Sequence, residues 1–133
     1  MGWTARIAWI GAIAAGCGGD AGSSTATGDA PTFAEIRDEI LVPSCGFSSC
    51  HGSGTGDLTI SADGDVYAAL VDVPSVGSPG ETLVVPGDPD ASYLVAKLEG
   101  AAGIEGDPMP APSGLDPAEV DRIRAWIAAG AAP

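Results

Sequence analysis

What this chain has little of narrows its possible roles first. It has one histidine, His51, in 133 residues, which excludes a type I copper centre, because that site needs two histidines and a cysteine. Lysine and arginine number 5 against 18 aspartates and glutamates, for a formal net charge of −13. Phosphate binding depends on clustered Lys and Arg, so nucleic acid is excluded as a natural partner. The uncharged apolar run Ile7 to Ala15 falls far below the roughly 20 residues of a membrane-spanning helix. Aromatic residues are few: 2 Phe, 2 Tyr and 3 Trp. No Ser-His-Asp arrangement is recognisable, and the many carboxylates are scattered as helix caps and solvated surface, so acid–base hydrolysis is not supported.

The first residues have a layout of their own. Met1 to Arg6 is a short, positively charged start, followed by the apolar run and then by Ala14-Ala15-Gly16-Cys17. This is the order of a secretory signal peptide over residues 1–16. The stretch resembles a bacterial lipoprotein lipobox, with Ala14 where that box usually carries Leu. The resemblance implies lipid attachment at Cys17; an ordinary signal peptide cut nearby is the alternative. The chain is then expected to be exported and lipid-anchored to a membrane, on its periplasmic or cell-surface side. Residues 17–31, rich in Gly, Ser, Thr and Ala, read as a flexible tether, and the folded domain spans residues 32–133. Past Arg6 only Arg37, Lys97, Arg122 and Arg124 are basic. That balance suits a soluble exported protein, or a partner protein with a basic face.

The domain reads as mostly α, with four helices. Thr32 is a good N-cap with Glu35 three residues on, and Phe33, Ile36 and Ile40 recur at helical spacing until Pro43 ends the helix. A short helix falls near residues 65–71, with Val66, Ala69 and Leu70 on one side. A third follows Pro89 through Ala91, Leu94 and Leu98 to Gly100. A fourth is capped by Asp116, with Pro117 at its first position and Glu119 completing a capping box. Val120, Ile123, Trp126 and Ile127 form its apolar stripe, and Gly130 ends it. Leu83-Val84-Val85 reads as a short extended piece. Long Gly- and Pro-rich loops separate these elements, and so much loop in about 100 residues is unusual unless it wraps something. So small a domain with so few aromatics would gain from a large apolar cofactor at its centre.

Cys45-Gly46-Phe47-Ser48-Ser49-Cys50-His51 carries the chemistry. The common haem-attachment motif is C-x-x-C-H; here the spacer between the cysteines is four residues long. Two thiols must reach the two vinyl groups of haem, and a histidine beside the second must present its imidazole to the iron. A longer spacer bulges outward without moving the Cys50-His51 pair. The competing reading is a Cys45–Cys50 disulfide, which an exported protein forms readily and which on a chain-entropy model is worth roughly 2 kcal/mol for so small a loop. Zinc is disfavoured by the spacing. Met109 is the only methionine after Met1 and lies in Asp107-Pro108-Met109-Pro110. A thioether sulfur suits haem iron opposite histidine, and flanking prolines stiffen the loop that carries it.

In this order of parts the domain resembles a class I cytochrome c: a first helix, the attachment motif, loops and short helices, a Met-Pro loop, and a last helix that packs on the first. The resemblance covers 32–133. It implies one covalently bound haem c held by Cys45 and Cys50, with His51 and Met109 as axial ligands and Phe33 and Trp126 at the crossing of the outer helices. Segment Val85-Pro86-Gly87-Asp88-Pro89 with Ser92-Tyr93-Leu94 also resembles part of exported bacterial cytochrome-like domains. The implied role is an electron carrier working with redox partner proteins, not an enzyme. A gas- or peroxide-responsive domain follows instead if Met109 leaves the iron, and a haem-free, membrane-anchored binding module if the two cysteines form a disulfide.

Overall fold

The first helix starts where its cap stands in the sequence. In the computed structural model, which describes residues 28–133, the Thr32 hydroxyl accepts from the Glu35 N–H at 3.3 Å and the Glu35 carboxylate accepts from the Thr32 N–H at 2.8 Å. This reciprocal pair satisfies two of the donors a helix start leaves open, and it holds the Glu35 carboxyl below the ordinary carboxylate range. The expected signal peptide, Cys17 and the expected tether as far as residue 27 lie outside the described residues.

From this cap one helical path runs through α1 (Phe33–Ile36), a π-helical stretch (Arg37–Leu41) and α2 (Val42–Cys45). Pro43 does not end the helix as expected from the sequence. In the widened turn the Val42 N–H bonds back to the Arg37 carbonyl, five residues earlier. A proline ring in a regular helix collides with the carbonyl four residues before it, and the wider π turn removes that collision. The extra residue in the turn also brings the neighbours Ile40 and Leu41 inward together, both fully buried.

The remaining helices are α3 (Val66–Leu70), α4 (Tyr93–Glu99) and α5 (Pro117–Ala128), so the described residues are mostly helical, with four helical segments and no strands. Asp65 caps α3 through the Ala68 N–H at 3.0 Å, and Asp116 caps α5 through the Ala118 N–H at 2.8 Å. Helix α4 begins later than expected. Pro89 and Ala91 belong to a turn in which Asp88 accepts from the Ala91 N–H, and the buried Ser92 hydroxyl donates to the Asp88 carbonyl. Gly100, in the left-handed conformation at φ +65°, ends α4, as glycine does at many helix C-termini. Leu83-Val84-Val85 contributes isolated bridges only, Val84 to Val71 and Val85 to Asp88, with Thr82 bridging both Pro74 and Ser92.

The first and last helices pack through their aromatics. The Phe33 ring lies 5.3 Å from Trp126 and meets Tyr67 edge-on at 5.2 Å. The Trp126 Nε1–H donates to the Ala132 carbonyl and the Tyr67 hydroxyl to the Ala131 carbonyl, each at 2.9 Å. Trp126→Ala removes the largest fully buried side chain and is expected to cost about 3–5 kcal/mol, read as a lower denaturation midpoint in urea. A loss below about 1 kcal/mol would contradict the packing described.

Every cation among the described residues is engaged. Arg37 pairs with its neighbour Asp38, Arg122 reaches Glu39 at 2.7 Å, and Arg124 holds both Asp90 and Glu99. Lys97 donates to two backbone carbonyls. The arginine pairs are largely solvated and each contributes little to stability. No helix among the described residues is long and apolar enough to cross a membrane.

Candidate functional site

The end of α2 delivers Cys45, and the chain then folds tightly on itself. The N–H groups of Cys50 and Gly52 both donate to the Phe47 carbonyl at 2.9 Å, which closes the four-residue spacer into a compact turn with Phe47 60% exposed. Two glycines permit this. A Cβ on Gly46 would lie 2.6 Å from the Val42 carbonyl oxygen, and one on Gly52 would lie 2.3 Å from the Gly46 oxygen. The long spacer therefore bulges to the surface, as expected, while Cys45 and Cys50 remain at its base.

His51 opens the next turn. Its backbone carbonyl accepts from the Ile60 N–H at 2.9 Å, and its Nδ1 lies 2.7 Å from the Thr55 carbonyl oxygen. A carbonyl only accepts, so Nδ1 carries the proton and the neutral ring keeps its lone pair on Nε2. This is the tautomer a metal-binding histidine needs, with its orientation fixed by a backbone partner.

Cys45, Cys50, His51 and Met109 all line one cavity of about 520 Å³, a volume typical of cofactor and ligand sites. Its walls are mostly aliphatic, from Leu58, Ile60, Leu70, Leu94 and Leu98, and exposed Asp57, Glu105 and Asp107 stand among its lining residues. The sulfurs of Cys45 and Cys50 are free. Among the described residues no three His, Cys, Asp or Glu side chains converge as metal ligands would. This donor set fits a haem: two free thiols, a histidine with Nε2 available, and a thioether, all on one apolar cavity.

Two contacts at the site were not foreseen in the sequence. The Met109 N–H donates to the Lys97 carbonyl at 2.9 Å, and the Glu105 N–H donates to the Tyr93 hydroxyl at 2.9 Å. Helix α4 thus holds the loop that carries Met109. The only local signal was that Lys97 is the sole lysine of the chain.

The Cys45 thiol is 8% exposed, and burial, with smaller contributions from Cys50 and Glu119, pushes it up to about 11 from 9.0. Raising a thiol's pKa keeps it neutral and unreactive. In protein produced without haem, one thiol is expected to react readily with a disulfide reagent at pH 8 and Cys45 slowly. Cys45→Ser should abolish the slow phase alone. The sign for stability follows: burial favours the protonated thiol, so its contribution is complete below pH 9 and is lost as the pH rises through about 11. A haem-free protein equally stable at pH 8 and pH 11 would contradict this.

No family model matches this chain, and neither a curated protein nor a solved structure is significantly similar to it.

Proposed function

We propose that this protein is an exported, lipid-anchored electron carrier with one haem c, attached through Cys45 and Cys50 and ligated by His51 and Met109. The observation that supports it best is that these residues, drawn from two distant parts of the chain, line one apolar cavity large enough for a cofactor. When bound, the haem supplies a reversible one-electron couple. The protein's part is to hold and tune it. Thr55 keeps His51 in the metal-binding tautomer through Nδ1. Aliphatic side chains form most of the cavity wall, and the loop from α4 to α5 brings the Met109 thioether to the same space. A histidine–methionine pair raises the potential relative to two histidines and leaves no open position for a substrate, which favours electron transfer over catalysis. Asp57, Glu105 and Asp107 give the mouth of the cavity a negative character suited to a redox partner with a basic face. The anchor would be the lipid on Cys17.

The test is direct. The full chain is expressed together with cytochrome maturation proteins, denatured, run on a gel and stained for haem peroxidase activity. A stained band is expected at the mass of the chain plus one haem. A colourless band, with Cys45 and Cys50 oxidised to each other, would sink the proposal.

A further inference from the structure

We propose that Lys97, the sole lysine of the chain, is the positioning residue that holds the Met109 loop over the cavity. Its backbone carbonyl, in the last turn of α4, accepts from the Met109 N–H at 2.9 Å. The final carbonyls of a helix have no partner within it, so Met109 itself caps α4. The Lys97 side chain then reaches back across the same loop. Its Nζ donates to the Glu105 carbonyl and to the Asp107 carbonyl, each at 2.6 Å. These two anchors lie four and two residues before Met109, and with the backbone bond they fasten the approach to the thioether at three points along one residue.

The composition of the loop explains why a lysine does this work. Residues 104–114 include Pro108, Pro110 and Pro112, each without an N–H, so the segment holds more backbone acceptors than donors. An ammonium has three donors and no acceptor, which is what such a loop lacks. Gly106, at φ +68°, lies beside the ammonium, with a Cβ there in ordinary contact with Nζ at 4.0 Å. Pro108 packs over Gly100 so closely that a Cβ there would lie 3.1 Å from its ring, and the same glycine ends α4. The loop is therefore seated on α4 at both its start and its middle. Lys97 also lines the cavity, and its ammonium is taken up by the two loop carbonyls and not by a surface ion pair. Glu105 and Asp107 engage it through their main chains, with their own carboxylates exposed.

The proposal rests on the haem reading only for what Met109 does once it is in place, and the experiment separates the two. The variants are Lys97→Met, which keeps the length and removes the donors, and Lys97→Arg, which keeps donors at the same position. The first measurement is hydrogen exchange of the Met109 amide in the full chain, with or without haem. Lys97→Met is expected to speed it about tenfold, the size of effect that losing such hydrogen bonds produces, while amides of α5 stay as protected as in the parent. The second is carbon monoxide binding to the ferrous protein, which needs the methionine position to open. Lys97→Met is expected to bind faster than the parent by a similar factor, Lys97→Arg to lie near the parent, and Lys97→Met with Met109→Ala to be no faster than Met109→Ala alone. Unchanged Met109 exchange and an unchanged carbon monoxide rate in Lys97→Met would overturn the assignment. A parent protein that carries no haem would overturn the electron-carrier reading instead, and the exchange measurement would still decide on Lys97.

Discussion

His51→Ala is expected to yield a protein that folds but comes out nearly colourless. The chain offers no second histidine, so nothing replaces the lost imidazole. Disturbing only an outer partner of a metal-binding histidine costs about 10–100-fold in affinity, and removing the ligand itself is expected to exceed that. The fold should tolerate the change. The His51 ring makes one side-chain hydrogen bond, at a partly exposed position, and the core residues around Phe33, Ile36 and Trp126 do not depend on it. The measurement is haem per polypeptide, from absorbance of the denatured protein, alongside circular dichroism to show that the helices persist. A His51→Ala protein with the haem content of the parent would remove the ligand assignment.

Met109→Ala is expected to keep the haem and change what it does. The proposed attachment through Cys45 and Cys50 would not involve the Met109 loop. Losing the thioether should lower the reduction potential by on the order of 0.1 V, within the range of about 0.8 V over which axial ligands move haem. It should also let the ferrous protein bind carbon monoxide rapidly. Potentiometry and gas titration on the same sample read both. If parent and variant share one potential and one rapid carbon monoxide rate, Met109 is not a ligand, and a gas- or peroxide-responsive domain becomes the better reading.

The sequence revealed most where a signal is local. Thr32 with Glu35 and Asp116 with Glu119 announce two helix starts because a cap and its partner lie three residues apart, and both form. The stripe from Val120 to Ile127 is buried because a 3.6-residue period faces one side. Phe33 and Trp126 meet across the first and last helices. What the sequence hid depends on other parts of the chain. Pro43 normally stops a helix, and its tolerance comes from a π turn that no residue type announces. Helix α4 starts at Tyr93 because Ser92 is drawn into a turn with Asp88 and Val85. In the sequence Lys97 was only one of four basic residues past Arg6, and its contacts appear only when a loop eight to twelve residues further on folds back across it.

With all of its described cations already held by the chain's own oxygens, this domain has no positive charge left over to attract another copy of itself. Two such molecules approaching each other meet like charge, felt across about 8 Å of physiological saline. Salt weakens that repulsion, so with the proposed haem bound, electron self-exchange between two copies is expected to quicken as salt is added.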